Sequence, residues 1–301
     1  MTQLGNDAVK VETRGNVMLI TINRPEARNA VNAHVHEGVG DALEAADADP
    51  DIRCVIVTGA GDKSFCAGAD LVALSRGESL SPDDKAKQAW GFAGIVSHAI
   101  SKPVIACVNG TALGGGLEIT LACDLAVAVD SAQFGLPEPK RGLFAAAGGV
   151  FRLPEQLPKK IAMEMILTGD PISAQRALEL GLVNAVAPRE ALLETAFALA
   201  ARIAVNAPLS VQASKRMALG IVDGKVTRDE AAWAQNRAEA KIVFTSEDSR
   251  EGPKAFAEKR APVWKARWGW RPIPSAWPCS SAWGRSTTAP PIRCEGSTRS
   301  A

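Results

Sequence analysis

The sequence predicts an α/β fold on three observations. Short β-branched runs closed by Gly, Pro, Asn or Asp recur along the first half, helix-spaced apolar segments separate them, and 47% of the 301 residues are hydrophobic with only 5% aromatic. That composition supplies a sizeable core of Ala, Val, Leu and Ile, enough for one large or two modest domains. In chain order, residues 17–22 (Val-Met-Leu-Ile-Thr-Ile) read as a strand, 35–46 as a helix and 54–58 as a second strand. Apolar residues at helical spacing predict a helix over 85–100, followed by a strand at 104–108, a helix over 113–123 that opens on glycines, and a strand at 125–129. After Pro208 the pattern becomes wholly helical, over 209–220 and then over the charged segment 227–245 with Trp233 on its apolar spacing. The strand and helix pattern taken alone favours an open, doubly wound sheet. From Trp268 onward the chain turns to Trp, Pro, Ser and Arg without periodicity, and a disordered tail is expected there. The chain thus divides into a core (1–207), a helical region (208–267) and the tail (268–301).

Several function classes are disfavoured by composition. A net charge of +1, with basic residues scattered among nearly as many carboxylates, gives no general attraction to nucleic acid, so an anionic ligand must be met locally. No uninterrupted apolar segment reaches the roughly 20 residues that span a bilayer, and Asp7 and Glu12 sit early, unlike a signal or transit peptide. No membrane partner and a cytoplasmic location are the expectation. The six cysteines form no C-x-x-C pair and no metal-ligand spacing with the three histidines, so buried free thiols and no metal are expected. His34, His36 and His98 lie on helical stretches without a partnered Ser, Cys or second ligand, which favours surface or packing roles.

Chemistry is concentrated in Leu113-Gly114-Gly115-Gly116-Leu117-Glu118 and, after an apolar stretch, Phe134-Gly135-Leu136-Pro137-Glu138. Three glycines between a strand and a helix let the backbone approach a ligand closely, and the amides at the helix start can hold a developing oxyanion. A nucleotide-phosphate loop is ruled out: there is no Gly-x-Gly-x-x-Gly, no Lys-Ser/Thr follows the glycines, and Glu118 would repel a phosphate.

These blocks, with Asn29-Ala30-Val31-Asn32, Ser64-Phe65-Cys66-Ala67-Gly68-Ala69-Asp70-Leu71, Asn109-Gly110-Thr111-Ala112, Leu167-Thr168-Gly169-Asp170-Pro171-Ile172-Ser173-Ala174 and Phe256-Ala257-Glu258-Lys259-Arg260, resemble the enoyl-CoA hydratase/isomerase (crotonase) family, in the same order over roughly residues 8–267. The resemblance implies a spiral of strand-strand-helix units and a C-terminal helical region that packs on the core and on neighbouring subunits of a homotrimer or hexamer. It implies an enoyl-CoA hydratase, a lyase of fatty acid metabolism, that adds water to the C2=C3 bond of a 2-enoyl-CoA thioester. Coenzyme A is then part of the substrate and no separate cofactor is needed.

By the same resemblance, the amides of Ala69 and Gly115 form the oxyanion hole, Glu118 activates the water and Glu138 delivers the proton to C2. Coenzyme A is expected against Arg28, Ala30, the loop from Ala67 through Asp70 and Leu71 to Val72, and Lys259, with Pro137 and Ala146 also lining the substrate site. Asp70 can in addition cap a helix. If the glutamates share a water-poor pocket, desolvation and like charge raise their pKa values. Two departures bear on the substrate. Ala145-Ala146 stand where many hydratases have Pro-Gly, and an alanine resists φ > 0 there. The stretch Gly149-Val150-Phe151-Arg152-Leu153-Pro154 resembles the crotonobetainyl-CoA hydratase branch. The alternatives are that branch, an enoyl-CoA isomerase needing one carboxylate, and an inactive acyl-CoA-binding or RNA-binding scaffold.

Overall fold

Two sheets take turns along the chain. In the computed structural model, which describes residues 4–267, an antiparallel start is made by β1 (Gly5–Asn6), β2 (Val9–Arg14) and β3 (Val17–Ile22), followed by α1 (Ala33–Ala48). Next come β4 (Cys54–Gly59), β5 (Ser64–Cys66), α2 (Leu71–Ser75) and α3 (Lys85–Gln88), then β6 (Val104–Val108), β7 (Thr111–Leu113) and α4 (Gly115–Ala122). The third unit holds β8 (Leu125–Val129), β9 (Gln133–Gly135), α5 (Gly149–Gln156), α6 (Lys159–Thr168), β10 (Ile172–Ser173) and α7 (Ala174–Glu179). β11 (Ala185–Ala187) and α8 (Arg189–Ala204) complete the core, and α9 (Pro208–Leu219), the hairpin β12 (Ile221–Val222) and β13 (Lys225–Val226), α10 (Glu230–Phe244) and α11 (Asp248–Ala257) follow. The expected disordered tail, 268–301, lies outside the described residues.

The larger sheet runs β1-β2-β3-β4-β6-β8-β11 and the smaller one β10-β9-β7-β5. β4, β6 and β8 each pass within a few residues into β5, β7 and β9 of the other sheet before a helix returns the chain. This is the strand-strand-helix spiral, and it replaces the open doubly wound sheet that the strand and helix pattern favoured. The second strand of each unit is only three residues long, too short to show a period of two. Every residue of β4 and β6 is buried, as expected of parallel strands covered on both faces. Cys54, Cys66, Cys107 and Cys123 are free and buried, and burial pushes the first three thiols up to about 12.

The single helix expected over 85–100 is not formed. α3 stops at Gln88, and Gly91 (φ 74°), Ala93 (φ 57°) and Gly94 (φ 69°) turn the chain left-handed. A Cβ at Gly94 would lie 2.2 Å from the His36 carbonyl oxygen, so this segment crosses α1 at backbone contact, where a regular helix could not pass. The apolar spacing was real: Ile95, Val96 and Ile100 are buried. Farther on, α11 closes on the turn after Glu138, where a Cβ at Gly252 would come 2.0 Å from the Arg141 carbonyl oxygen.

One close approach positions the site. A Cβ on Gly116 would lie 2.0 Å from the carbonyl oxygen of Cys66, which joins the start of α4 to the end of β5. Gly116→Ala is therefore expected to destabilise the protein by about 3 kcal/mol or more, seen as a thermal midpoint lowered by about 6 °C or more.

Candidate active site

The loops that follow β5 and β7 meet edge to edge. A Cβ on Gly68 would be 3.2 Å from the Gly115 nitrogen, so the two backbones touch across a pair of glycines. Val31 forms a parallel bridge to this loop: its amide donates to the Gly68 carbonyl (2.8 Å) and its carbonyl accepts from the Asp70 amide (2.9 Å). That bridge turns the intervening Ala69 amide away from Val31. The Gly115 amide opens α4 and has no acceptor within its own helix. Two amides thus stand side by side at the mouth of a helix, as an oxyanion hole requires.

Both glutamates face the cavity that these loops border, a space of about 1700 Å³. Glu118, in the first turn of α4, is 4% exposed; its Oε1 accepts from the Gly149 amide at 2.9 Å, and the Ala147 amide also donates to the carboxylate. Glu138 heads a 3-10 turn, Glu138–Arg141, and reaches back over the glycines: a Cβ on Gly114 would lie 2.9 Å from its Oε1. Its Oε2 is buried with no hydrogen-bond partner among the described residues. Burial, and then the neighbouring Glu138 charge, push Glu118 up to about 8; burial pushes Glu138 up to about 7. Near neutral pH the two titrate as a pair that retains protons. The Gly149 and Ala147 amides aimed at Glu118 favour its charged form and oppose the effect of burial there.

Of the other expected residues, Arg28, Ala30, Ala67, Asp70, Leu71 and Val72 border the cavity on one side. Pro137 and Ala146 border it beside Glu138 and Glu118. Leu71 and Val72 are 50% and 58% exposed, an apolar ledge at the rim. Asp70 caps α2, its Oδ1 accepting from the amides of Val72 and Ala73 at 3.0 Å, while its Oδ2 pairs with Arg24 at 2.8 Å. Burial opposes its ionisation, yet the Ala73 amide and Arg24 hold the carboxyl below its usual range. Lys259 is not brought to the cavity. It follows α11 in a left-handed conformation (φ 54°), exposed at the surface.

The alanine substitution at the 145–146 turn is also milder than expected. The left-handed residue is Gly148 (φ 104°), Ala146 is not forced to positive φ, and the amides that reach Glu118 come from Ala147 and Gly149. His34 is exposed, His36 is buried and bonded to the Lys87 carbonyl, and His98 stacks on Trp90 and pairs with Glu44. Among the described residues no cluster of His, Cys, Asp and Glu suits a metal ion.

Sequence reasoning missed four contributors. Arg24 donates to the Ala30 carbonyl (2.6 Å) as well as to Asp70, bracing the oxyanion loop. Phe92 lies against Gly115, where a Cβ would meet its ring at 2.4 Å. Asn236 of α10 donates to the Ala146 carbonyl at 2.7 Å, and Trp233 forms part of the cavity wall. Only Arg24, just ahead of the Asn29-Ala30-Val31-Asn32 block, had a local signal; the others arrive from distant segments.

Comparison with known proteins gives the family. Residues 12–267 match the description Enoyl-CoA hydratase/isomerase. The chain belongs to this family. It is 60% identical to the carnitinyl-CoA hydratase from Mycobacterium avium, covering 87% of this chain and 100% of that one, with a TM-score of 0.85. It is 42% identical over 269 residues to the carnitinyl-CoA dehydratase of Proteus mirabilis, again 87% of this chain and 100% of the relative. A crystal structure of an enoyl-CoA hydratase from Mycobacterium tuberculosis is 44% identical, with the same coverages and a TM-score of 0.67.

The raised carboxyls have a consequence for stability. The folded chain keeps a proton that the unfolded chain loses above about 4.5, so this pair makes stability fall as pH rises from there to about 8 and level off beyond. Glu118→Gln is expected to remove the Glu118 share of the effect, raising stability by about 1–3 kcal/mol at pH 8 and leaving it unchanged at pH 4, while the share from the burial of Glu138 persists. Thermal midpoints of both proteins across that range measure it.

Proposed function

We propose that this protein reversibly hydrates the C2=C3 bond of a 2-enoyl-CoA, with crotonobetainyl-CoA and its hydrated partner carnitinyl-CoA as the preferred pair. The observation that carries the reaction type is the meeting in one cavity of buried Glu118, half-buried Glu138, the helix-mouth amide of Gly115 and the outward-turned loop amide of Ala69. In this reading the thioester oxygen sits between the Ala69 and Gly115 amides, which bear the charge that develops when C3 is attacked. Glu118 takes a proton from the attacking water; Glu138, its Oε2 unpaired, delivers one to C2. Dehydration runs the same steps backwards, and no separate cofactor enters. Two carboxylates in position favour hydration over isomerisation, which needs one.

The acyl group is inferred from the relatives, since identity to the Mycobacterium avium carnitinyl-CoA hydratase, at 60%, exceeds the 44% to the enoyl-CoA hydratase from Mycobacterium tuberculosis. A plain enoyl-CoA is the second reading, favoured by one observation: the Arg152 cation borders the cavity and lies 5.5 Å from the Trp233 ring, a face that could otherwise receive a quaternary ammonium. We also infer that copies of the chain assemble as a trimer or hexamer through the helical region, where Leu209 and Met217 are 77% and 83% exposed.

Purified protein assayed with crotonobetainyl-CoA and crotonyl-CoA decides the acyl group: the first should show the higher kcat/KM, and the reverse order selects the plain enoyl-CoA reading. Glu118→Gln and Glu138→Gln should each lower kcat by about a hundredfold or more. Near-wild-type turnover in either folded variant would end the two-glutamate mechanism. Sedimentation velocity should report a multiple of three chains, and a monomer would remove the assembly inference.

A further inference from the structure

Arg152, on α5, is buried, a setting in which a guanidinium must find partners. One nitrogen, Nη1, donates to the Val96 carbonyl at 2.8 Å, and Nη2 lies 3.4 Å from Oδ2 of Asp229, itself buried just ahead of α10. The guanidinium carbon sits 5.6 Å from the Phe151 ring centre and 5.5 Å from that of Trp233. One side chain therefore gathers α5, the segment after α3 and the start of α10, three pieces far apart in sequence.

Its relation to the glutamates runs through two adjacent glycines. A Cβ on Gly148 would be 3.4 Å from Arg152 Nη1, and a Cβ on Gly149 would be 3.1 Å from Glu118 Cγ. The cation and the carboxylate flank a single two-residue step of backbone, the same step whose amide at Gly149 holds Glu118.

We propose that Arg152, fixed by Asp229 and the Val96 carbonyl, is a positioning residue whose cation makes Glu118 available as a carboxylate. This rests on the reading that Glu118 activates the water. The groups in play are few. Glu118 faces Glu138 from the turn after β9, Arg152 from α5, and the Cys66 thiol from β5. Arg152 faces Asp229 and, on its own helix, Glu155, while Arg228 Nε stands 3.7 Å from Asp229 Oδ1. With Glu138 opposing ionisation of Glu118, the charge of Arg152 favours it, and a fork held on two sides keeps that charge in place.

The test uses the full chain and crotonyl-CoA, following kcat and kcat/KM against pH for Arg152→Gln, Arg152→Lys, Asp229→Asn and Glu118→Gln, with folding checked by circular dichroism and elution volume. Arg152→Gln should lower kcat about tenfold or more and move the acid limb of kcat/KM up by about one pH unit. Arg152→Lys should return the limb to the wild-type position with only part of the rate, because the charge is kept and the fork is lost. Asp229→Asn should move the limb down, since the guanidinium loses its counter-charge. A folded Arg152→Gln protein whose limb coincides with wild type, whatever its rate, overturns the proposal and leaves a structural arginine. If that variant does not fold, an unmoved limb in Asp229→Asn overturns it instead. Full turnover by Glu118→Gln would fail the reading beneath, a result distinct from an unmoved limb in a chain whose Glu118→Gln is inactive.

Discussion

The rest of the site depends on a backbone-to-backbone contact between the loop after β5 and the start of α4. Gly116 lies against the Cys66 carbonyl at a separation no side chain could share, and Gly68, at positive φ, lies tightly against the Gly115 amide. Because the helix begins there, the contact places an unpaired helix-mouth amide next to the Ala69 amide turned outward by the Val31 bridge. It also sets the direction of α4 and hence the depth of Glu118, one turn farther on. The glycine run is therefore a steric requirement of the fold and an electrostatic device at once.

A second constraint follows from that depth. Glu118 is buried beside the half-buried Glu138, an arrangement unfavourable to charge, and directed backbone amides offset it. The Ala147 and Gly149 amides aim at one carboxylate, whereas Glu138 Oε2 is buried with no partner among the described residues. The pair is thus asymmetric in its surroundings though identical in chemistry, which is what separates a base from an acid.

The C-terminal helices contribute more than surface. α11 seats on the turn that carries Glu138, Asn236 of α10 holds the Ala146 carbonyl, and Asp229 anchors Arg152. The walls of the cavity are therefore made by segments from both ends of the sequence, and a displacement of α10 would be felt at the turn bearing the Glu118 amides.

Much of this was legible in the chain itself. The β-branched runs marked β3, β4, β6 and β8, because a strand buried on both faces must be continuously apolar, and the glycine and glutamate blocks marked the site, because close backbone approach and acid-base work each demand those residue types. What periodicity could not supply was any feature set by contact across the fold. The three-residue strands that turn an open sheet into a spiral carry no period, and residues 85–100 kept helical spacing while Gly94, pressed on α1, broke the helix. Lys259 shared a family block yet lies at the surface of its own chain, while Phe92 and Asn236 reach the site from distant segments. The sequence alone determined which groups do chemistry, since that is a property of residue type and local backbone freedom. Only the tertiary structure decided that Glu118 and Glu138, twenty residues apart, share one cavity, because desolvation and charge coupling exist only once distant segments have closed around them.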